Sequence, residues 1–365
     1  MLKKIAVLGA GAGGQACAAV LSLAGYEVNL YNRSAARLKP ILERGGIEVT
    51  GAKEGFAKLN KITTDIKEAV KGANLILIVV PAFAHKHLAE TCGPHLEDGQ
   101  MVTYLGKGGG TLVFAQTLKS LGVKKDIILG ETNTLPYASK SIGPAQIRVG
   151  ILKKGGFLAA ALPAKNNKKL VNALKEIYPV VVPATNVLET LLTDFNAIDH
   201  VGALIPNVGY VANSTGEYRL FKEGVTPSVG RVIQGVDRER LAIMKALGLN
   251  QTLYEEWLFK QGFIDSIEST VYEAISKSTL KGAIPCGPSI MQHRYITEDV
   301  PFGLVTMASL GDMLGVPTPT IKSLITLASV MNQVDYWKEG RTVEKLGISG
   351  LNVNELREFV TEGKL

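Results

Sequence analysis

The chain has 365 residues, 46% hydrophobic, 20% charged and 6% aromatic, with a formal net charge of +7. Such a length suggests two domains, and the apolar fraction argues against disorder. Three cysteines (Cys17, Cys92 and Cys286) are too few for a disulfide framework and point to a reducing, cytoplasmic setting. The charge is uneven. Residues 1–185 carry 24 basic and 12 acidic side chains, a balance of +12, whereas residues 186–365 carry 16 and 21, a balance of −5. A nucleic-acid binder would not divide its charge this way; the basic half suits an anionic small ligand.

Lys3 and Lys4 precede an apolar stretch that mimics a secretory signal, but Gly9, Gly11, Gly13 and Gly14 interrupt it. Leu75 to Ala84 is too short for a membrane span and contains Pro81. Up to residue 185, short β-branched runs alternate with helical stretches. Ile5–Leu8 reads as a buried strand, Gly11–Ala24 as a helix, Glu27–Tyr31 as a second strand and Ser34 as the cap of the next helix. Gly45–Asn60 reads as a hairpin excursion, and Leu75–Val80 is apolar on both faces, as a central parallel strand must be. Further strands are expected at Met101–Tyr104, Ile127–Glu131, Ile147–Leu152 and Val180–Val182, with a helix at Asn166–Tyr178. This alternation predicts an α/β doubly wound parallel sheet over residues 1–185. Beyond residue 186 the periodicity is helical, at Val187–Ala203, Val229–Leu247, Leu253–Lys260, Ile267–Lys277, Pro301–Leu314 and Pro319–Gln333. An all-α second domain is expected over residues 186–365.

Gly9-Ala10-Gly11-Ala12-Gly13-Gly14 fits the G-x-G-x-x-G pattern between a strand and a helix, the context that makes the pattern specific for a dinucleotide. Gly9 allows the tight turn, Gly11 lets backbone approach a pyrophosphate and Gly14 lets helix and strand pack closely. An NAD site usually has Asp or Glu at the end of the second strand. This chain has Asn32-Arg33-Ser34, with Arg37 a turn further on. Arg33 can pair with a 2′-phosphate that a carboxylate would repel, and Asn32 and Ser34 can donate hydrogen bonds to it, so the expected cofactor is NADP, with NAD second. Pro81 and Ala82 follow the central strand at the carboxyl edge, where ligands bind in open sheets. His85, His87, Cys92 and His95 have poor metal-ligand spacing and read as a surface helix, so no metal is expected.

In the helical half, His200 ends the string Asn196-Ala197-Ile198-Asp199-His200. Arg294 and the carboxylates Glu298 and Asp299 precede Pro301. Taken alone, a histidine there reads as a core residue and the two carboxylates as helix caps. Together with Lys107-Gly108-Gly109-Gly110 and Glu131-Thr132-Asn133-Thr134-Leu135-Pro136-Tyr137-Ala138, these segments resemble the opine dehydrogenases of the octopine/nopaline dehydrogenase type over nearly the whole chain. The resemblance implies a Rossmann domain joined to a helical domain of the 6-phosphogluconate dehydrogenase C-terminal type. It also implies reductive condensation of an amino acid's amine with an α-keto acid through an imine. By position, His200 matches the family's catalytic histidine, Asp299 its aspartate and Arg294 its carboxylate-binding arginine. Lys107 and the glycines after it receive no role.

Two rivals are a reductase of the ketopantoate or glycerol-3-phosphate dehydrogenase kind and a non-catalytic NADP(H) sensor. The former relies on a second-domain lysine; Lys222, Lys245, Lys260, Lys277 and Lys281 are available, none in a segment that reads as a site. The expected partners are a small amino acid and a keto acid, with neither nucleic acid nor membrane, and a homodimer is expected.

Overall fold

A computed structural model describes residues 2–152, 154–214, 218–280 and 291–364 of the chain; Cys286 and Lys281 lie outside these. The chain divides into two units, one running to Thr190 and regaining Val360–Lys364, the other Leu191–Phe359. The division thus falls five residues beyond the change of sequence texture near 185, and the C-terminal segment returns to the first unit.

In the first unit, β1 (Lys4–Leu8), β2 (Glu27–Tyr31), β3 (Ile47–Gly51), β4 (Gly55–Ala57), β5 (Lys61–Thr63), β6 (Leu75–Ile78), β7 (Met101–Tyr104), β8 (Ile128–Thr132), β9 (Tyr137–Gly143), β10 (Gln146–Leu152), β11 (Phe157–Leu162) and β12 (Val181–Pro183) form two sheets. The larger has the order β12-β11-β8-β7-β6-β1-β2-β5. Neighbours from β8 to β5 pair in parallel, while β11 runs antiparallel to β8 and carries β12 parallel to itself. Order reverses on either side of β1, which makes the β1–β6 boundary the topological switch point.

Both faces of the central strands are buried, which is why they read as unbroken apolar runs. Ile5, Val7, Leu75 and Leu77 enter one core; Ala6, Leu8, Ile76 and Ile78 enter the other. Each Val, Leu or Ile among them contributes about 1.5–3 kcal/mol by leaving water. The expected central strand is shorter than its apolar run: β6 ends at Ile78, although the Val79 N–H still donates to the Leu8 carbonyl at 2.9 Å. The second sheet has the order β4-β3-β10-β9. The Gly45–Asn60 excursion therefore supplies β3 and β4, and Ile147–Leu152 falls in this sheet as part of β10, not in the main one. It covers helix α1 (Ala12–Leu23), whose Cys17 is buried with a thiol pushed up to about 12 by desolvation.

The second unit is helical, as expected. The long segment expected at Val187–Ala203 is broken into Val187–Leu192 and Asn196–Leu204, and Val229–Leu247 is a helix from Pro227 to Ala246. The segment from 301 begins as a π-helical turn, Val300–Leu304, before the helix Val305–Leu314. Its interior holds a buried ion pair, Arg240 to Asp237 at 2.7 Å, with the guanidinium over the Phe195 ring at 4.8 Å. No described helix is long and apolar enough to cross a membrane.

Candidate active site

The glycine turn is built by close packing. Gly9 has φ +116°, and an added Cβ would lie 2.3 Å from the Val79 carbonyl oxygen. At Gly14 an added Cβ would lie 1.8 Å from the Gly9 carbonyl, so α1 can leave the strand only with glycine there. Gly11 differs: an added Cβ meets nothing within 4 Å. That open side, at the N-terminus of a helix with no acidic residue in its first turn, leaves backbone free to approach an anion. The residues fit a dinucleotide phosphate bridge. Val79 and Val80 supply the atoms that crowd Gly9, and Pro81 and Ala82 follow them in the chain.

Asn32 is committed internally. Its Oδ1 accepts the Ala10 N–H at 3.1 Å, and its Nδ2 donates to the Ser34 carbonyl at 3.2 Å. It braces the glycine turn instead of offering its amide outward, as the sequence suggested. Ser34 stands at the N-cap of the next helix, Ala35–Arg44, without a side-chain cap bond. Arg33 and Arg37 are exposed and form no ion pair among the described residues.

The stretch after β7 turns through positive φ at Gly106, Lys107 and Gly109 before the helix Gly110–Ser120. Glu131 of β8 fixes it. This fully buried carboxylate accepts N–H bonds from Gly109 and Thr111 at 3.0 Å and the Thr190 hydroxyl at 2.8 Å. Burial raises its pKa, against the pull of those bonds. Sequence reading gave neither Glu131 nor the glycines a role. The helix expected to lie on the surface, His85–Cys92, exposes His87, but His85 and Cys92 are buried, with the His85 ring 4.3 Å from that of Tyr104. No group of metal-binding residues occurs among the described residues.

In the second unit, His200 sits on the helix Asn196–Leu204 and Asp299 ends the short segment after the helix Arg294–Thr297. Ninety-nine positions apart, they meet: His200 Nδ1 lies 2.7 Å from Asp299 Oδ2, both largely buried. Although Asp299 occupies the N-cap of the following π-turn, its side chain makes no cap bond. The His200 ring stacks on Tyr295, centroids 3.6 Å apart and planes within 15°. Burial first, then Asp199 and Asp299, pushes the Tyr295 hydroxyl up to about 12. His293 faces the same group, its pKa lowered by burial and then by Arg294 and His200. Arg294 points outward, its side chain 69% exposed, with one nitrogen 3.3 Å from Glu298. The structure thus brings His200 and Asp299 together and leaves Arg294 one turn away, on an accessible fork. Lys222, Lys245, Lys260 and Lys277 are all exposed, so among the described residues none of the rival lysines is built into a buried site.

A doubly wound sheet with this glycine turn, followed by a helical unit carrying a His–carboxylate pair, defines a nicotinamide-dependent dehydrogenase. A family model described as NAD/NADP octopine/nopaline dehydrogenase, alpha-helical domain, matches residues 183–332, and one for the NAD-dependent glycerol-3-phosphate dehydrogenase N-terminus matches residues 4–125. The opine dehydrogenase of Arthrobacter sp. (strain 1C) is 38% identical over 360 residues, 98% of this chain and 99% of that protein. The chain belongs to the opine dehydrogenase family. Its fold is shared by octopine dehydrogenase solved with NADH and agmatine (TM-score 0.81, 20% identity, 100% of this chain and 99% of that one). It is shared also by yersinopine dehydrogenase with NADP+ bound (TM-score 0.75, 16% identity, 99% and 98%). The protein is an oxidoreductase that uses a nicotinamide cofactor to condense an amino acid reductively with an α-keto acid.

Proposed function

We propose that this chain prefers NADPH and that His200, Asp299 and Arg294 carry the condensation, acting on a free amino acid and a keto acid in the cytoplasm. The observation that carries the reading is the 2.7 Å His200–Asp299 pair, a titratable ring held by a carboxylate that stands at an N-cap without making the cap bond. Gly9, Ala10, Gly11, Ala12, Gly13 and Gly14 would hold the pyrophosphate. Asn32 would keep that turn in shape, Arg33 and Ser34 would meet the 2′-phosphate, and Pro81 and Ala82 would border the nicotinamide end.

The amine nitrogen attacks the keto carbon, and loss of water leaves an imine. His200 takes the proton released as the ammonium becomes nucleophilic and returns one to the departing hydroxyl. Asp299 orients the ring and stabilises its charged form. Arg294 grips a substrate carboxylate, which displaces Glu298 from its fork. When bound, the cofactor supplies the hydride that reduces the imine carbon, giving a secondary amine.

The test is oxidation of NADPH and NADH across α-keto acids, each with and without amino acids. The expected result is oxidation that requires both substrates, with the lower KM for NADPH. Oxidation by a keto acid alone, yielding a hydroxy acid, overturns the reaction; a clear NADH preference overturns the role of Arg33.

A further inference from the structure

His200 faces a second carboxylate. Asp199, its neighbour on the same helix, is 4% exposed, and Asp199 Oδ1 lies 4.0 Å from His200 Nε2. The two Asp199 oxygens are treated differently. Oδ2 accepts the hydroxyl of Tyr254, itself fully buried, at 2.8 Å. Oδ1 is sealed from solvent and has no hydrogen-bond partner among the described residues. A buried carboxylate with one oxygen unsatisfied is expensive unless a positive charge is near. What lies near is the imidazole, whose opposite nitrogen is already held by Asp299.

Resting on the functional reading above, we propose that Asp199 is a positioning residue for this reaction: with Asp299 it brackets the imidazole of His200 and favours the ring's protonated form, the form that gives a proton to the departing hydroxyl. Tyr254 fixes the direction of the bracket by engaging Oδ2 and turning Oδ1 towards the ring. Burial raises the Asp199 pKa to about 6, with His200 and Tyr254 pulling it down, so the carboxylate is ionised in neutral and alkaline solution.

Other titratable and aromatic groups surround the pair. Asp299, Tyr295 and His293 come from the 293–299 segment, and Tyr254 from the helix Tyr254–Gln261. From the turn Leu220–Gly224 it is Phe221 that faces His200. Asp237 and Arg240 pair with each other. Among the described residues, the cationic partner offered to Oδ1 is therefore His200.

The test is an NMR titration of the His200 imidazole in the full chain, its resonance assigned by its loss in His200→Asn. Asp199→Asn keeps an acceptor for Tyr254 but removes the charge. We expect the His200 midpoint to fall by about one pH unit. The alkaline limb of the kcat profile should fall with it, while the KM for the cofactor stays unchanged. An unmoved midpoint in the folded variant overturns the proposal and leaves Asp199 as an acceptor for Tyr254 only. Should the variant not fold, the wild type decides: a His200 titration with a lower step near pH 6 supports the coupling, and a single step refutes it. The titration needs no turnover, so it can fail independently of the reaction assigned above.

Discussion

Two buried carboxylates, one in each unit, are handled in opposite ways. Glu131 in the sheet unit is saturated, receiving two backbone N–H groups and a threonine hydroxyl. Asp199 in the helical unit receives one tyrosine hydroxyl and leaves its other oxygen facing an imidazole. Burial raises both pKa values. The difference separates a brace from a tuned group. Glu131 exchanges water for protein donors and so fixes the turn through Gly106–Gly109. Asp199 keeps an unmet demand for positive charge, and the group able to meet it is His200, to which we assign the proton chemistry.

Three substitutions sharpen this contrast. The largest effect belongs to His200→Asn, which should lower kcat by about 10²–10⁴-fold with cofactor affinity unchanged, read by steady-state kinetics and cofactor titration. Next is Glu131→Ala. It strands the Gly109 and Thr111 N–H groups and should cost about 3 kcal/mol of stability, measured by denaturant unfolding. A loss below about 0.5 kcal/mol would mean that water replaces the carboxylate and that Glu131 is no brace.

The smallest effect is on the stability of Asp199→Asn. Because the folded pKa of Asp199 lies above its unfolded value, ionisation opposes folding. That cost is absent below about pH 4, grows as pH rises and is complete above the folded value of about 6. The variant should therefore melt a few degrees above wild type at pH 8 and lose that advantage near pH 4. Thermal melts at the two pH values check this; a variant less stable at pH 8 would place Asp199 with Glu131 as a simple brace.

Legibility in the sequence followed the range of the interactions. The glycine turn lies within six residues and is dictated by steric contacts with its own strand and with Val79, so pattern alone located it. The strand β11 was missed because Phe157-Leu158-Ala159-Ala160-Ala161-Leu162 has the composition of a helix and becomes a strand by pairing with β8 and β12. Its antiparallel direction cannot be read from periodicity. The amide of Asn32 was assigned outward because its acceptor bond to Ala10 depends on the two strand ends lying side by side. His200 and Asp299 carried no local signal and were located through resemblance alone. Asp199 stood in plain view beside His200, yet adjacent helical residues point to different faces, so nothing in the spacing indicated that both would reach one ring. His85 likewise reads as a surface residue until Tyr104 and Gly110 close over it.

The most direct test of the reaction itself follows one atom. With NADPH deuterated at the transferred position, a keto acid and a 15N-labelled amino acid, mass spectrometry should find one product. It should combine both carbon skeletons, retain the 15N and carry a single deuterium on the carbon that had been the keto carbon. A deuterated hydroxy acid with the amino acid untouched would contradict the account.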